Sequence, residues 1–324
     1  MRDSTESYVI VIPALDEWES LRILLPLLDR ALASASLTAS VLIVDDGSEV
    51  PAPLDIVADR PVALSEVAVL HLRRNLGHQR AIAVGLAYVV EHQPCSAVVV
   101  MDADGEDRAE DVPRLIAALL ETGPPRAVFA KRLRRSEGVV FTVSYRFYCL
   151  MHRILTGLQV EVGNFSVVPF ELVRKLGTVA EMWNHYAAAV VRARIARKLV
   201  PADRGTRLAG HSRMNFVSLV THGLSAMSVF ADRIAVRLLA GSAVLALFAI
   251  SLSGAVLVLR IRSATAVPNW MPNTVGLLDV LFIECIVLSL VFAVAVQVAR
   301  SSVSFLPERD YHLFVDTRTT LYSR

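Results

Sequence analysis

Two long, uninterrupted apolar stretches lie in the last third of this 324-residue chain. Leu238–Leu259 and Val275–Ala299 each run for about 20 residues or more, the length that an α-helix needs to cross the hydrocarbon core of a bilayer. The composition agrees, because 54% of the residues are hydrophobic, 20% are charged and the mean hydropathy is +0.50. The short connection between the stretches contains Trp270, a residue type that favours the membrane interface. The sequence therefore predicts a transmembrane helical hairpin and excludes a wholly water-soluble fold.

The segments on either side of this hairpin set the expected domain boundaries. Residues 1–210 are predicted to form one folded domain, and residues 211–237 mix apolar and polar positions as an interfacial amphipathic segment does. The transmembrane part covers residues 238–299, and residues 300–324 are interpreted as a polar cytoplasmic tail. The N-terminus lacks the basic region and long apolar run of a signal peptide. We therefore expect a multi-pass protein of the inner membrane whose first domain lies in the cytoplasm.

The N-terminal domain alternates short apolar runs with helical patterns. The apolar runs are rich in Val, Ile and Ala and are predicted to be strands: 8–12, 41–44, 97–101 and 127–130. Helical periodicity occupies three segments between and after them: 17–34, 79–91 and 110–122. Continuously apolar strands that alternate with helices are typical of a mostly parallel sheet buried on both faces. The sequence therefore predicts an α/β domain, whose ligands would bind at the carboxyl ends of the strands.

Acidic residues follow the first three predicted strands: Asp16 and Glu17, Asp45 and Asp46, and Asp102 and Asp104. Alternate residues of an extended segment point to the same side, so the last pair can face one site. Carboxylates are the ligands that hard divalent cations prefer, and such a cation would also bind a diphosphate. A solvated acidic turn is the alternative interpretation of Asp102 and Asp104. Capping of the following turn is the alternative for Asp45 or Asp46.

A basic and amide-bearing stretch precedes the second predicted helix. Arg73, Arg74, Asn75 and His78 lie close to the N-terminus of that helix, where a phosphate or sugar ligand would be favoured. For His78, a plain surface position is the alternative. The net charge of +2 gives no reason to expect a nucleic-acid partner. The three cysteines are widely spaced, and packing is the preferred interpretation for them.

Four short motifs occur in order along the domain: PALDE from residue 13, VDDGS from residue 44, RNLG from residue 74 and MDAD from residue 101. Together they resemble the family-two glycosyltransferases with the GT-A fold. The two C-terminal apolar stretches make the chain similar to the branch that glycosylates polyprenyl phosphates, such as dolichol-phosphate mannosyltransferase and the bactoprenol glucosyltransferases. The resemblance implies a nucleotide-sugar donor, a polyprenyl phosphate acceptor and a divalent metal, Mg²⁺ or Mn²⁺. It covers about residues 8–300.

The residues and the resemblance together assign roles to particular positions. The nucleotide-sugar (a UDP- or GDP-sugar) would be bound by Pro13, Asp16, Glu17, Asp45, Asp46, Arg74, Asn75 and Asp102. The metal would be held by Asp102, Asp104 and Glu106, with Asp104 as its principal ligand. Catalytic roles would belong to Asp104, Asp107 and Arg132. The acceptor or the diphosphate would be bound by Arg207, Ser212 and Arg213, which match a basic element of this branch in the segment RGTRLAGHSR. A plain basic patch at the membrane surface is the alternative for the two arginines.

Two positions depart from the pattern of the branch. Glu106 stands where an amide is usual, which puts the metal preference or the donor in doubt. Asn164 stands where the branch often has an aspartate, which puts a role as a base there in doubt.

The expected reaction is an inverting, in-line displacement at the anomeric carbon. A phosphate acceptor is already an anion and needs no strong base, whereas a hydroxyl acceptor would need one. Asp107 is the first candidate and His185 the second, with simple packing as the alternative for His185. A glycosyltransferase acting on a lipid or glycan hydroxyl and an inactive nucleotide-sugar-binding module therefore remain alternatives. Within the second apolar stretch, Asp279 and Glu284 are ionisable groups in a costly position, and packing within a homo-oligomer is one interpretation of Glu284.

Overall fold

The computed structural model describes residues 7–57, 60–121, 123–132, 139–158, 162–210, 216–262, 268, 270–301 and 305–324. One mixed sheet of eight strands organises the N-terminal domain, in the order β7-β5-β6-β4-β1-β2-β3-β8. Its strands are β1 (Tyr8–Ala14), β2 (Ala39–Asp45), β3 (Leu64–Leu72), β4 (Ala97–Val100), β5 (Ala127–Arg132), β6 (Ser166–Pro169), β7 (Arg197–Ala202) and β8 (Val315–Ser323).

The α-helices follow the same chain order. They are α1 (Trp18–Ser34), α2 (His78–His92), α3 (Asp111–Leu120), α4 (Val139–Thr156), α5 (Phe170–Gly177), α6 (Tyr186–Arg192), α7 (Phe216–Ser228), α8 (Ala231–Arg262), α9 (Trp270–Ser301) and α10 (Pro307–Asp310). By contacts the chain forms two compact units. One contains the sheet, and the other contains α8, α9 and the C-terminal part of α4.

The middle of the sheet is parallel and buried. Strands β4, β1, β2 and β3 run parallel to one another, and their apolar side chains enter hydrophobic clusters on both faces of the sheet. In this register Ala14 at the end of β1 lies opposite Asp45 at the end of β2. The residues that follow these two strands are therefore brought together at one edge, as parallel pairing requires.

The predicted α/β class is confirmed, and each predicted strand and helix has a counterpart in the structure. Strand β3 was missed because its sequence, LSEVAVLHL, carries polar residues at both ends. Strands β6 and β7 were also missed, and β6 runs antiparallel to both of its neighbours. Four-residue β6 is too short to give a recognisable pattern, so only its pairing partners identify it.

The two predicted apolar helices are present and long enough to cross a membrane. Helices α8 and α9 have 32 residues each, and in their most apolar parts only 17% and 6% of the residues are buried. A core helix of a soluble protein would be mostly buried. The two helices contact each other through Ser242 and Ser289, whose hydroxyl oxygens lie 2.8 Å apart, and through Ser253, which donates to Asp279 at 2.5 Å. Serine hydroxyls inside the helix pair thus bond across the pair, whereas the second carboxylate oxygen of Asp279 is buried without a hydrogen-bond partner among the described residues.

The segments flanking the hairpin differ from the sequence interpretation. The interfacial segment 211–237 is not one element, because α7 ends at Ser228 and residues 231–237 already belong to the long helix α8. The segment 300–324 was interpreted as a polar tail, but Val315–Ser323 forms strand β8 and pairs antiparallel with β3. Strand β8 is an edge strand whose side chains are half-buried or exposed, with Val315, Leu321 and Tyr322 packed against the hydrophobic clusters.

Candidate active site

The loop after β1 is tied to the turn after β2. Asp16 has a left-handed backbone conformation, with φ of +51°, and its Oδ1 accepts hydrogen bonds from the N–H groups of Glu49 at 2.8 Å and Val50 at 3.2 Å. The backbone N–H of Asp16 donates to Ser48 Oγ at 2.8 Å. These contacts fix the half-buried Asp16 beside the VDDGS turn. The predicted first nucleotide-binding loop is therefore a well-defined element of the sheet edge.

Asp45 stabilises the turn that follows β2. Its Oδ1 accepts from the backbone N–H of Ser48 at 2.9 Å, and its Oδ2 lies 2.9 Å from Nδ1 of His71 on β3. The side chain is buried. This is the turn-capping arrangement that the sequence offered as an alternative for one of the two aspartates.

Asp46 holds the RNLG segment in place. Its Oδ1 accepts from the N–H of Leu76 at 2.7 Å, and its Oδ2 accepts from the N–H of Gly77 at 2.8 Å. The side chain is only 3% exposed, and burial raises the pKa of the carboxyl above its ordinary 3.8, although the two N–H bonds oppose that shift. Asp46 therefore links the end of β2 to the start of α2. Any contact of Asp46 with a nucleotide would be made by a group already anchored in this way.

Gly47 lets the VDDGS turn and the RNLG segment approach closely. Its φ is +76°, and a Cβ atom at this position would lie 2.7 Å from the backbone nitrogen of Asn75 and 2.9 Å from the carbonyl carbon of Arg74. The side chains of Arg74 and Asn75 are exposed at this edge of the sheet. The Arg74 guanidinium lies 5.8 Å from the ring centroid of Phe314, which precedes β8.

Three carboxylates of the DADGED segment each lie against a basic side chain. Asp102, Asp104 and Glu106 are half-buried, whereas the residues between them are buried. Asp102 Oδ1 lies 3.2 Å from Nε2 of His78, and Asp104 Oδ2 accepts from the Arg207 guanidinium at 3.0 Å. That these carboxylates face one common site stays a prediction.

Glu106 has the most extensive of these pairings. Arg204 donates from Nε to Oε2 at 2.9 Å and from Nη2 to Oε1 at 2.7 Å, which makes the pair bidentate. Arg207 also donates to Glu17, so one guanidinium joins the first loop to the DADGED segment. Burial raises the pKa of the Asp104 carboxyl above 3.8, with the charges of Asp102 and Glu106 adding to the rise and Arg207 opposing it.

The loop that carries the two arginines is fixed by its backbone. Gly205 N–H donates to the Glu106 carbonyl oxygen at 2.8 Å, and Leu208 N–H donates to that of Asp104 at 2.9 Å. A Cβ atom on Gly205 would lie 2.3 Å from the carbonyl oxygen of Gly105, so only glycine allows this approach. The cationic side chains on either side of Gly205 are therefore delivered to the carboxylates by main-chain hydrogen bonds.

Asp107 lies beneath this surface. It is 3% exposed, and its Oδ2 accepts from the backbone N–H of Asp102 at 3.0 Å. The carboxylate therefore supports the segment that carries Asp102 and Asp104. A direct part in chemistry stays a prediction.

A polar network adjoins the acidic segment at the start of α2. His78 is the first residue of α2, its ring is 42% exposed, and its Nε2 lies 3.0 Å from the amide nitrogen of Asn164. Gln79 donates to Asn164 Oδ1 at 3.2 Å and accepts from the N–H of Tyr186 at 2.7 Å. The amide of Asn164, which stands where the branch often has an aspartate, thus accepts from Gln79 through its oxygen and lies against His78 through its nitrogen.

Two further histidines meet beside this network. Nε2 of His185, which caps α6, lies 3.3 Å from Nε2 of His222 on α7. Burial lowers the pKa of His222, and the nearby positive charge of His78 lowers it further. Sequence reasoning missed His222, Gln79 and Arg204. Only Arg204 gave a signal, since it lies in the same RGTR run as Arg207.

The remaining predicted site residues are either buried within the sheet or have side chains outside the described residues. Pro13 is buried within β1, opposite Val44 of β2. Arg132 ends β5, and its side chain lies outside the described residues. Ser212 and Arg213 also fall outside the described residues.

The residue types at this edge fit a hard divalent cation, because carboxylate oxygens are the ligands that Mg²⁺ and Mn²⁺ prefer. Within the ranges that the structure describes, however, no three His, Cys, Asp or Glu side chains are arranged so that they could hold a metal ion. Asp102, Asp104 and Glu106 are instead paired with His78, Arg207 and Arg204. The donor chemistry therefore fits, and a cation would enter only as these pairings change.

Comparisons with known proteins agree with this picture. The family model described as glycosyl transferase family 2 matches residues 9–177, just over half of the chain. The undecaprenyl-phosphate 4-deoxy-4-formamido-L-arabinose transferase of Erwinia tasmaniensis is 33% identical over 113 residues, which are 35% of this chain and 34% of that protein. The glycosyltransferase YkcC of Bacillus subtilis, itself uncharacterised, is 22% identical over 233 residues, 70% of this chain and 69% of that protein.

The match to the first of these relatives thus spans about a third of that relative's length. Among solved structures, mannosyl-3-phosphoglycerate synthase from Rubrobacter xylanophilus superposes with a TM-score of 0.50 at 16% identity, over 71% of this chain and 74% of that one. This likeness concerns the fold alone and confirms the predicted GT-A architecture. On the family match, which begins in β1 and includes the acidic segments after β1, β2 and β4, the chain belongs to glycosyl transferase family 2.

Proposed function

We propose that this protein transfers a sugar from a nucleoside-diphosphate sugar to a polyprenyl phosphate at the cytoplasmic face of the inner membrane. One observation carries the proposal: a glycosyl transferase family 2 domain, with its carboxylate-lined strand ends, continues in the same chain into two helices of membrane-spanning length whose apolar residues are mostly exposed. A lipid-linked acceptor explains why a transferase domain would carry such helices. The partial likeness to an undecaprenyl-phosphate transferase supports the same acceptor class.

The donor would bind along the edge formed by the loops after β1, β2 and β4. Asp16, Asp45 and Asp46 are held there by backbone hydrogen bonds, which pre-organise the edge before the donor arrives. We assign the base and ribose to this part of the edge and the diphosphate to the part near Asp104. A divalent cation held by Asp104, with Asp102 and Glu106, would neutralise charge on the departing diphosphate.

The acceptor would be positioned by the cationic loop. A phosphate oxygen of the lipid attacks the anomeric carbon, the bond from that carbon to the diphosphate breaks, and the nucleoside diphosphate leaves with inversion. Arg207 already bridges Glu17 and Asp104, so a small movement of its guanidinium would place it on a phosphate. Ser212, Arg213 and Arg132 would add to the same anion-binding surface. A homo-oligomer is compatible with this reaction and is tested below.

A hydroxyl acceptor is the second candidate, and the paired histidines favour it. Lowering of the pKa of His222 keeps that imidazole neutral, and a neutral imidazole beside the site could accept the proton of a hydroxyl. Asp107 is a poorer base, since it is 3% exposed and bonded to the Asp102 N–H. A phosphate acceptor would make both groups dispensable as bases.

The test uses the full chain in detergent with undecaprenyl phosphate, Mg²⁺ or Mn²⁺, and a panel of radiolabelled UDP- and GDP-sugars. Metal-dependent label in an acid-labile lipid is expected, and Asp104→Asn should abolish it. Asp55→Asn is the matched control, because Asp55 is 73% exposed and its ion-pair partner Arg22 on α1 is itself 50% exposed. A parallel reaction contains a membrane lipid extract in place of undecaprenyl phosphate, and label in an acid-stable glycoside there would establish the hydroxyl acceptor. Donor binding without transfer to either acceptor would indicate the inactive binding module.

A further inference from the structure

Arg204 occupies both oxygens of the one acidic residue that departs from the branch pattern. The guanidinium contacts Glu106 at 2.6–2.9 Å, and the two side chains are 33% and 22% exposed. A planar guanidinium donates two parallel hydrogen bonds to the two oxygens of a carboxylate, so Arg204 takes up the lone pairs of Glu106 that face it. Both carboxylate oxygens of Glu106 are therefore already engaged by Arg204.

The position of Arg204 is imposed by the backbone beside it. The adjacent Gly205 N–H bonds to the carbonyl oxygen of Glu106 itself, at 2.8 Å, and no Cβ could be fitted between Gly205 and Gly105. The side-chain pair is thus anchored by a main-chain contact between the same two segments. Such anchoring reduces the entropy that a surface ion pair must lose, and so makes the pair more persistent than an isolated one.

A guanidinium and a divalent cation cannot both use the same carboxylate oxygens. We propose that Arg204 is a built-in competitor for the cation at Glu106, and that it sets the metal concentration that the site requires. The inference rests on the divalent cation of the proposed function. Its basis here is geometric: Glu106 lies two residues from Asp104, Arg204 donates to both oxygens of Glu106, and Arg207 donates to Asp104.

Two consequences follow from competition. Any divalent cation that binds at Glu106 must break the Arg204–Glu106 pair and loses the free energy of that pair. Removing Arg204 should therefore raise the affinities for Mg²⁺ and for Mn²⁺ by the same factor. The coupling is also reciprocal: a bound cation releases Arg204, which is then available to an anionic ligand. Arg204 thereby neutralises the negative charge of Glu106 when no cation is bound.

The experiment measures Mn²⁺ binding directly, without a sugar donor, from the electron paramagnetic resonance signal of free Mn²⁺. The proteins are the full-length wild type in detergent and its variants Arg204→Gln, Glu106→Gln and the double variant. Arg204→Gln should bind Mn²⁺ about three- to tenfold more tightly, the range expected for loss of a partly exposed bidentate pair. In the Glu106→Gln background the same Arg204 substitution should change the affinity less than about twofold, because the contested carboxylate is gone.

Two further variants keep the result interpretable. Arg108→Gln is the matched control, since Arg108 is a nearby cation whose carboxylate partner is Glu110, at 3.5 Å, and its affinity should equal that of the wild type. Arg204→Lys keeps the charge without the bidentate fork and should fall between wild type and Arg204→Gln, even if the glutamine variant folds poorly. Unchanged or weaker Mn²⁺ binding in both Arg204 variants, an equal gain in the Glu106→Gln background, or no Mn²⁺ binding in any protein would overturn the inference. The labelled-lipid assay is independent of these outcomes, so failure of the proposed function would be recognised separately.

Discussion

Asp46→Asn tests whether this aspartate serves the fold, the donor or both. The carboxylate accepts from two backbone N–H groups, those of Leu76 at 2.7 Å and Gly77 at 2.8 Å, and is 3% exposed. An asparagine of the same shape keeps one acceptor oxygen but turns an NH₂ group toward the second N–H. The substitution therefore changes the hydrogen bonding while it leaves the volume of the side chain almost unchanged.

The magnitude follows from these contacts. One hydrogen bond to a charged acceptor is lost, which costs about 1.5–3 kcal/mol, and the other becomes a weaker neutral bond. Part of this loss is offset, because the raised pKa of Asp46 means that its ionised form is disfavoured by burial in the folded state at neutral pH. We expect a net destabilisation of about 2 kcal/mol, or a midpoint of thermal unfolding that is about 4–8 °C lower for a domain of this size.

The assay is thermal unfolding of the detergent-solubilised protein, followed by intrinsic tryptophan fluorescence and paired with nucleotide-sugar binding on the same samples. Asp55→Asn is again the control, since the exposed pair of Asp55 with Arg22 at 3.0 Å should be worth less than about 1 kcal/mol. If Asp46→Asn unfolds at the temperature of this control yet loses donor binding, the reasoning is refuted. Asp46 would then serve the ligand and contribute little to the anchoring of RNLG.

Two further predictions concern titration and assembly. Partial loss of hydration lowers the pKa of the 42% exposed His78, but the carboxylates around it, Asp102 first, outweigh that effect and raise the pKa above 6.5. The stabilisation from His78 is therefore present below pH 6.5 and is lost as pH rises through the folded-state pKa. The pKa of His222 is lowered, so its contribution runs the other way and is lost as pH falls below 6.5. From about pH 5.5 to pH 8, the difference in unfolding temperature from wild type should shrink for His78→Gln and grow for His222→Gln, and parallel trends would contradict the assignment. Glu284 is exposed on α9 within the apolar span, where a carboxyl group is stabilised by contact with a helix of a second copy. Glu284→Leu should therefore lower the molar mass of the protein measured by light scattering in detergent. A wild type that is already monomeric would exclude this role.

The strand ends were predictable because they depend on local pattern. The runs at 8–12, 41–44 and 97–101 are apolar enough to be strands in any context, and parallel pairing then forces Asp16, Asp45 and Asp102 to one edge. The occurrence of Asp102 and Asp104 just past the end of β4 was likewise readable from the chain. Which atoms those carboxylates would contact was not.

The partners of the acidic residues come from distant parts of the chain, and sequence spacing carries no information about them. Arg207 reaches Asp104 across 103 positions, and Arg204 reaches Glu106 across 98. Both pairings depend on Gly205 fitting against Gly105, which a single sequence does not reveal. For this reason Glu106 could be identified as a departure from the branch pattern, while the compensating Arg204 could be found only in the fold.

Strand β8 constrains the membrane topology more than the charges near the helices do. Arg233 and Arg237 precede the first span, whereas Arg260 and Arg262 follow it, so the distribution of basic residues is nearly balanced. Pairing of β8 with β3 makes residues before α8 and after α9 part of one sheet. A single sheet cannot be divided by a bilayer, so an even number of crossings must separate β3 from β8, as two spanning helices provide. Strand β8, in the segment interpreted from the sequence as a polar tail, therefore requires that α8 and α9 either both cross the bilayer or both stay on one side of it.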